Sequence, residues 1–571
     1  MFKQSRKENC QQIGYYIAVL FLVIVFFFPN FQQGVFKGSD GGYHLARIAS
    51  LADAMSSGVF PAKVRPVLMK TYGYGVGFFY PDYMLYFPAL LIHLGICDVD
   101  MAYKITLLLM LIVGSFSVFF ITQKLTKRLP VALVSVALFL GTRNLWVDVY
   151  QRGGVGSMMA YMFLPMAIGG VILALRDIKS GYIWYGIGLI GMLFTHHITF
   201  ITVLISLIIL GICNIKRIVD TPKIAGRIIA VSFVDLFIST MYWLPAIEQV
   251  THINFIAIYG NYLSIGDNVS SFGTMLSERY TLELFLLFVV ATVVFLTLLL
   301  NRKVTYKMGG DVVLTGWLLV WLCSSNLFWK SAIGDSLSFL QYTERFSYVT
   351  CAMMNYGIVL VLDGLLTVAE DKKNTILGVM HPLAIPIMCF LAVLYFVGAF
   401  PEVLTGKVSD LEKSDMERQF VEAYNMGAGQ EWLPIETLYT ACDTPNTAKA
   451  NDGTGADGIK TDNGKMFDVW VMLDKEYYDM PYVYYYGYHA YLMDDNGAVK
   501  KELLCDKASD NNGLLRVFMP GENGVGRIIV TYRKTLIQKV AYCISFISVI
   551  SVIGFAFCQK IRKRDENIIS Q

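Results

Sequence analysis

Long apolar runs recur along the chain, and polar segments separate them. A helix crosses a bilayer with about 20 predominantly apolar residues, and many of the runs reach or approach that length. The pattern therefore predicts a polytopic α-helical membrane protein with about twelve membrane-spanning helices. The predicted spans are residues 13–28, 101–121, 129–145, 155–175, 181–196, 198–214, 225–246, 280–300, 311–328, 346–368, 376–400 and 537–558.

Lysine and arginine residues are concentrated in alternate polar segments, at residues 123–128, 176–179, 216–227, 302–307, 372–373 and 560–564. Cytoplasmic loops of membrane proteins carry an excess of these residues. We therefore predict that both termini are cytoplasmic and that the intervening loops are outside the cell. The two long outer segments are then the first loop, residues 29–100, and residues 401–536.

Residues 401–536 differ in composition from the rest of the chain. Asp, Gly, Asn and Lys are frequent, and strand-like runs occur at residues 467–472, 482–486 and 527–532. Their tyrosines could stack on sugars, but a tyrosine-rich strand is more often core, so we predict core positions. We predict a transmembrane domain over residues 1–400 that includes the long first loop, an extracellular β-rich domain over 401–536, and a last membrane helix with a basic cytoplasmic tail over 537–571.

The composition agrees with a membrane protein and narrows the classes of partner. Of the 571 residues, 55% are hydrophobic and 16% are charged, and the mean hydropathy is +0.52. A net charge of +3 is too small to indicate a nucleic-acid partner. The chain has no Cys-x-x-Cys pair, so it suggests neither a zinc site nor a redox motif. Cys442 and Cys505 both fall in the outer β-rich segment and could form a disulfide there.

A short amphipathic stretch follows the first predicted span. On a helix that starts near Ser39, the side chains of Asp40, His44 and Arg47 lie at positions i, i+4 and i+7 and share one face. Apolar residues gather on another face, which is typical of a helix lying at a membrane interface. Two interpretations stay open: the polar face carries chemistry, or Asp40 is a helix N-cap and the two basic residues are solvated.

Two arginines on the predicted outer side run against the usual distribution of positive charge. Arg152 and Arg345 therefore need another reason to be there, and a lipid phosphate at the outer leaflet is one. The guanidinium fork suits phosphate oxygens better than a lysine does. The alternative is snorkelling or local pairing, of Arg152 with Asp148 and of Arg345 with Gln341 or Glu344.

Three other ionisable residues lie close to or within predicted spans. His196 and His197 are adjacent, so on a helix their side chains point about 100 degrees apart and at most one can face a site. We predict that they form a polar cap between two helices. Asp235 lies near the middle of a predicted span, where it either marks a transport path or pairs with Arg227 or a hydroxyl.

With these residues in view, the chain resembles the GT-C membrane glycosyltransferases. It is most similar to the YfhO-like bacterial membrane proteins, some of which are labelled pyruvoyl-tetrahydropterin-synthase-related. The resemblance extends over nearly the whole chain. It rests on Asp40 with His44 and Arg47, on Gly58 to Pro61, on Tyr72 to Tyr74, on Phe79 to Pro81, on Tyr150 to Gly153, on Thr195 to His197, on Gln341 to Phe346 and on Gly487 to Ala490. The chain departs from the family pattern at Ser157, where a Glu is frequent, and at Thr343 and Glu344, where Pro-Trp is frequent.

The resemblance implies transfer of a sugar from a polyprenyl-phosphate donor to an extracytoplasmic acceptor, either a cell-envelope glycan or a lipid-anchored polymer. It implies a multi-pass protein of the bacterial plasma membrane, in contact with membrane lipids, with its active site outside. Asp40 is the predicted general base, and Arg152 and Arg345 are the predicted donor-phosphate contacts. Supporting roles are predicted for His44, Arg47, Asp148, His196, His197, Gln341 and Glu344. A divalent metal stays open as a cofactor, and no metal ligand is assigned.

Two other functions compete with sugar transfer. A flippase or exporter of a lipid-linked glycan should place its charged groups near the middle of the membrane, and often has paired broken helices in two halves. Apart from Asp235, the ionisable residues that are candidates for chemistry are at the outer ends of the predicted spans. The second competing function is a non-catalytic scaffold that presents the β-rich domain. In such a scaffold the Asp40 carboxylate would have no role.

The predicted topology is open to cysteine labelling of intact cells with a membrane-impermeant reagent. A cysteine introduced at Gly453 should be labelled, because residues 401–536 are predicted to be outside. A cysteine near Asn567 should be labelled only after the cells are permeabilised. The reverse pattern would overturn the topology and with it every site assignment above.

Overall fold

The computed structural model describes residues 2–36, 38, 40–259, 264–303, 305, 309–371, 396, 413–414 and 430–569. Two predicted features fall largely outside this part of the chain. One is the span at residues 376–400, and the other is the beginning of the segment 401–536.

Helices dominate the described chain up to residue 371 and return after the β-rich segment. In chain order they are α1 (Phe2–Phe27), α2 (Gly41–Ser56), α3 (Val76–Phe79), α4 (Tyr86–His93), α5 (Val99–Thr126), α6 (Leu129–Leu140), α7 (Arg143–Trp146), α8 (Val155–Leu175), α9 (Gly181–Leu193), α10 (His197–Cys213), α11 (Ile215–Asp220), α12 (Lys223–Ile238), α13 (Thr240–His252), α14 (Ile256–Tyr259), α15 (Phe272–Met275), α16 (Leu282–Leu300), α17 (Gly310–Ser324), α18 (Asn326–Trp329), α19 (Ala332–Ser336), α20 (Ser347–Asp371) and α21 (Leu536–Ile569). Two π-helices, Val147–Arg152 and Leu276–Tyr280, interrupt this series. Short 3-10 helices lie at Phe28–Phe31, Tyr83–Leu85, Ile265–Asn268, Ser338–Leu340, Thr343–Phe346 and Tyr439–Ala441.

Six helices within the described residues are long and apolar enough to cross a membrane, and the number rises to eight if two bent helix pairs each count as one span. The first pair bends by 51° between α6 and α7, and the second bends by 65° between α12 and α13. Three predicted spans correspond to the shorter apolar helices α9, α10 and α17. A mostly helical chain with several candidate membrane spans is therefore confirmed, whereas the count of about twelve stays a prediction.

The chain divides into two compact units, and each is assembled from three separate segments. The first unit contains Met1–His44, Tyr103–Ser232 and Tyr262–Met416, and the second contains Leu45–Ala102, Phe233–Asn261 and Glu417–Gln571. The predicted domains, by contrast, follow one another along the chain, with boundaries at residues 400 and 536. That division stays a prediction.

Helix α8 is central to the first unit, because all of its residues are buried. A helix that is apolar on every side needs protein on every side, and α9, α10 and α20 pack against it. Glycines bring α9 close: a Cβ on Gly170 would lie 2.4 Å from the backbone nitrogen of Tyr185, and one on Gly188 would lie 2.3 Å from that of Ala167. Small residues at a helix crossing allow the two backbones to approach in this way.

The second unit contains a nine-stranded antiparallel sheet, which confirms the predicted C-terminal β domain. Its strands are β3 (Thr447–Ala450), β4 (Gly455–Thr461), β5 (Met466–Met472), β6 (Tyr477–Val483), β7 (Tyr488–Met493), β8 (Val499–Leu503), β9 (Cys505–Ala508), β10 (Leu514–Phe518) and β11 (Val525–Tyr532). Their order across the sheet is β8-β7-β11-β5-β4-β3-β6-β10-β9. Tyr482, Tyr484 and Tyr485 are buried, as predicted for core tyrosines, whereas Tyr486 is 36% exposed. Two further strands, β1 (Val35–Phe36) and β2 (Lys413–Ser414), pair within the first unit.

Residues of the first loop pack against this sheet within the second unit. Trp432 stacks on Phe79 with a centroid distance of 4.6 Å, and the amide of Val483 donates a 2.9 Å hydrogen bond to the carbonyl of Tyr72. The buried guanidinium of Arg65 pairs with the buried carboxylate of Asp82 beside them. A buried charge is tolerated only when it is paired, so this ion pair fixes the shape of the loop.

The two cysteines of the outer segment are free thiols in the structure. Cys442 is buried in a turn, where its sulfur lies 3.4 Å from the amide nitrogen of Asn512. Cys505 opens strand β9. The disulfide that the sequence leaves open between these two residues is not formed.

Candidate functional site

A cavity of about 410 Å³ lies within the first unit and is lined by four of the ten predicted site residues, Asp40, Arg152, Glu344 and Arg345. Its other lining residues are Val147, Gln151, Arg279, Tyr342 and Tyr348. These residues come from four separate parts of the chain, and only the fold brings them together. Its lining therefore contains three guanidinium groups and two carboxylates.

Asp40 and Arg152 form the contact at the centre of this lining. The Nε of Arg152 donates a 2.6 Å hydrogen bond to Oδ2 of Asp40. The backbones are joined as well, because the amide of Asp40 donates a 2.8 Å bond to the carbonyl of Arg152. Both side chains keep more than a third of their surface exposed, at 34% and 40%, so a ligand can reach them.

Two glycines make this backbone contact possible. A Cβ on Gly38 would lie 2.2 Å from the carbonyl carbon of Arg152, which no real side chain could occupy. Gly153 has a φ of +69°, and a Cβ there would lie 2.7 Å from the Cα of Gly41. Glycine adopts this left-handed conformation at no steric cost, so the chain can turn immediately after Arg152.

Asp148 and Arg152 lie on one π-helix, Val147–Arg152. Asp148 is fully buried and accepts a 2.9 Å hydrogen bond from the hydroxyl of Tyr348, whereas its distance to the Arg152 guanidinium is 3.8 Å. The predicted pairing of Arg152 with Asp148 is present, but Asp40 is the closer partner. π-Helices interrupt regular helices frequently at functional sites, because they redirect side chains.

Arg279 is a cavity residue that the sequence analysis missed. It lies on the second π-helix, Leu276–Tyr280, and donates bonds of 3.2 and 2.6 Å to the two oxygens of Glu344. Glu344 is therefore held by Arg279, whereas the sequence suggested a pairing with Arg345. The sequence signal is its position directly before the predicted span at residues 280–300, on the predicted outer side where arginines are unusual. Thr281, two residues further on, adopts a φ of +63°, which is strained for a β-branched residue.

Arg345 pairs with Gln341, one of the two partners that the sequence suggested. Its guanidinium donates a 2.7 Å hydrogen bond to the side-chain oxygen of Gln341 and lies 5.6 Å from the centre of the Tyr342 ring. Gln341 itself has a φ of +64°. A non-glycine residue held in this region costs about 1–3 kcal/mol, and such positions cluster at functional sites.

The remaining predicted site residues are placed around the cavity or away from it. His196 is the N-cap of α10, because its Nδ1 accepts a 3.3 Å hydrogen bond from the amide of Thr199. His44 is buried in the first turn of α2, and His197 follows the cap residue. Arg47 belongs to the second unit, where its buried guanidinium donates a 3.1 Å bond to the carbonyl of Pro81. Arg47 therefore supports the first loop and does not line the cavity.

Asp235 is buried in α12, and one of its carboxylate oxygens has no hydrogen-bond partner among the described residues. Arg227 lies over the ring of Tyr182, with 5.6 Å between its Cζ and the ring centre. The predicted pairing of Asp235 with Arg227 is thus not observed in this part of the chain.

Ser157, the position at which the YfhO-like pattern frequently has a glutamate, donates a 2.9 Å hydrogen bond to the carbonyl of Gly154.

The arrangement supplies two kinds of chemistry side by side. Guanidinium groups form paired, charge-assisted hydrogen bonds with phosphate oxygens. A solvent-accessible carboxylate can take a proton from a hydroxyl that lies within hydrogen-bond reach. The described residues contain no group of three or more His, Cys, Asp or Glu side chains arranged to hold a metal ion.

Comparisons with known proteins give distant similarities. No family model matches the chain. An uncharacterized protein of Lactococcus lactis subsp. cremoris is 22% identical over 204 residues, which are 34% of this chain and 33% of that protein. The match thus spans about a third of the relative's length.

Among solved structures, the oligosaccharyltransferase of Archaeoglobus fulgidus is similar in its apo form. The TM-score is 0.43 at 11% identity, over 71% of this chain and 56% of that one. Its complex with zinc and sulfate gives a TM-score of 0.38 at 11% identity, over 70% and 54%. This chain therefore covers little more than half of the archaeal enzyme. A likeness at these TM-scores carries no argument about class or activity, and the GT-C and YfhO-like assignments stay predictions.

The contact between Gly38 and Arg152 leads to a stability prediction. Gly38→Ala should lower the free energy of unfolding by about 1–3 kcal/mol, because the added Cβ displaces the backbone that carries Arg152. Gly226→Ala is the matched control: it lies in α12 with nothing within 4 Å of the added Cβ, so stability should be unchanged or slightly higher. Thermal unfolding of the purified proteins in detergent measures both. Equal melting temperatures would contradict the close packing at Gly38.

Proposed function

We propose that this protein is a membrane glycosyltransferase that takes a sugar from a polyprenyl-phosphate donor and transfers it to an acceptor hydroxyl. The observation that carries the proposal is the cavity whose lining combines three arginines with the half-buried carboxylate of Asp40, which Arg152 contacts. A phosphate-linked donor needs cations at its phosphate, and the acceptor needs a base near its hydroxyl. No nucleotide-binding loop is required, because the donor is a lipid.

The proposed reaction makes one bond and breaks one bond. The acceptor oxygen attacks the anomeric carbon of the sugar, and the bond from that carbon to the phosphate oxygen breaks with its electron pair on the phosphate. Asp40 accepts the hydroxyl proton. Arg152 and Arg345 stabilise the charge that develops on the departing phosphate.

The Asp40–Arg152 contact gives this mechanism an order of events. In the structure, Arg152 Nε is hydrogen-bonded to Asp40. A donor phosphate would compete for the same guanidinium, which frees an oxygen of Asp40 for the acceptor. The base would therefore become available only when the donor is bound, so the acceptor hydroxyl is not deprotonated without a donor in place.

Arg279 and Glu344 have a positioning role in this proposal. Their two hydrogen bonds fix the residue next to Arg345, and Gln341 holds Arg345 from the other side. A guanidinium fixed in this way loses less conformational entropy when it binds phosphate. The proposed setting is the bacterial plasma membrane, with the cavity on the outer face and a cell-envelope glycan or lipid-anchored polymer as acceptor.

Export of a lipid-linked glycan is the second candidate function, and Asp235 is the observation that favours it. A buried carboxylate with a partnerless oxygen inside a candidate span often marks a transport path. Reconstitution into vesicles separates the two functions. An exporter moves the lipid-linked glycan across the bilayer unchanged, whereas a transferase consumes the donor and releases the polyprenyl phosphate.

Asp40→Asn tests the proposed base. Asn serves nearly as well as Asp at a helix N-cap, so expression and melting temperature should change little. Sugar transfer should fall by about 100-fold or more, because the amide cannot take the acceptor proton. Asp267→Asn, an exposed carboxylate of the same unit, is the matched control and should keep its activity. Parental turnover in the Asp40 variant would reduce Asp40 to a cap and direct the search for the base to Asp148 or Glu344.

Arg345→Lys tests the proposed donor contact. The charge stays, but the planar fork is lost, so the KM for the polyprenyl-phosphate donor should rise by about tenfold while membrane insertion is unaffected. Arg143→Lys provides the same chemical change outside the cavity, where Arg143 lies over the ring of Trp146. Donor kinetics equal to those of the parent would show that Arg345 is held by Gln341 for structural reasons alone.

A further inference from the structure

A second cavity, of about 360 Å³, lies within the second unit and is strongly cationic. Its charged lining residues are Lys63, Lys465, Arg533, Lys534 and Lys539. The lining includes no acidic side chain. This composition differs from that of the candidate active site, where carboxylates accompany the arginines.

Within the part of the chain that the structure describes, none of the five cations has a carboxylate oxygen within ion-pair distance, although Asp82 lies close enough to attract Lys63. Lys465 donates a 3.2 Å bond to the carbonyl of Ser57, and Lys534 donates to the carbonyl of Phe60. Neutral carbonyls solvate an ammonium group but do not cancel its charge. The cavity therefore keeps an excess of positive charge, which an anion would neutralise.

Lys63 shows that this excess is energetically costly. It is 3% exposed, and its ammonium donates to the Tyr83 hydroxyl at 2.9 Å. Burial, followed by repulsion from Arg65 and Lys534, lowers the pKa of Lys63 to about 7, although Asp82 opposes the change. Burial and the neighbouring Lys539 also lower the pKa of Lys534. A bound anion would favour the charged form of each ammonium and relieve this repulsion.

The cavity is also amphipathic and lies at the start of a candidate membrane span. Lys539 is in the first turn of α21, whose apolar run is long enough to cross a bilayer. Phe60, which is 62% exposed, forms an apolar part of the lining together with Pro61 and Tyr532. Cations beside exposed apolar surface at a membrane boundary match a phosphate that carries an apolar chain.

We infer that this cavity is an anion-binding site for a phosphate group, held by Lys465, Lys534 and Lys539 and separate from the candidate active site. A phospholipid headgroup and free inorganic phosphate share this chemistry. The apolar part of the lining favours the phospholipid. The site would tie the β domain to the membrane surface near α21.

Ligand-induced stabilisation of the purified full-length protein tests the site. The melting temperature is measured against increasing sodium phosphate, with sodium chloride at matched ionic strength, and against phosphatidylglycerol, with phosphatidylcholine as the neutral lipid. The test variant is Lys534→Gln with Lys539→Gln. The control variant is Lys500→Gln with Lys501→Gln, which removes two exposed charges from β8 of the same unit. Arg345→Lys serves as a second control for binding in the active-site cavity.

The parent should be stabilised by phosphatidylglycerol, and the test variant should bind it at least about tenfold more weakly, because two charge-assisted hydrogen bonds are lost. The Lys500→Gln with Lys501→Gln control should match the parent. A loss of stabilisation in Arg345→Lys but not in the test variant would place the binding in the active-site cavity and overturn the proposal. The same pattern with inorganic phosphate alone would assign the site to a soluble phosphate. The proposal is wrong if neither ligand stabilises the parent, or if the test variant responds as strongly as the parent does.

Discussion

The candidate site depends on one contact, in which the chain after the first helix meets the end of the π-helix Val147–Arg152. The amide of Asp40 and the carbonyl of Arg152 are joined at 2.8 Å, and their side chains are joined at 2.6 Å. Gly38 and Gly153 leave room for both bonds. Because the backbone bond fixes the distance between the two residues, the position of the carboxylate relative to the guanidinium is set by the fold and does not need a ligand to establish it.

The rest of the cavity is built from conformations that regular helices do not provide. Two π-helices carry Arg152 and Arg279, and each ends at a residue with positive φ, Gly153 or Thr281. Gln341, which holds Arg345, is a third position of this kind. The two non-glycine positions, Thr281 and Gln341, cost conformational energy that the surrounding packing offsets, whereas Gly153 adopts its conformation at no steric cost. Both lie within a few residues of the cavity lining, and strained backbone of this kind is a physical reason to regard the cavity as functional.

Sequence patterns predicted the helices, the C-terminal β domain and the buried tyrosines, because these follow from hydrophobic runs and residue preferences that are local. They also identified Asp40 as a candidate, because it shares a predicted helical face with other ionisable residues. They identified Arg152 and Arg345 because arginines are unusual on the outer side of a membrane protein. They missed Arg279, although it directly precedes the predicted span at residues 280–300, because its place beside Glu344 depends on the fold. Arg47 is the opposite case, a predicted site residue that does not line the cavity. Its helical spacing predicts a place on the same face as Asp40, but its guanidinium donates a hydrogen bond to the carbonyl of Pro81.

The order of strands in the β domain has a consequence for its shape. β8 and β9 are at the two ends of the nine-strand order, yet Leu504 alone separates them along the chain. The segment from Val499 to Ala508 therefore pairs first with β7 and then with β10, and the sheet must curl until its two margins meet at Leu504. Closure of this kind leaves few unpaired backbone groups for a foreign strand to add to. A domain closed in this way is protected against edge-to-edge aggregation.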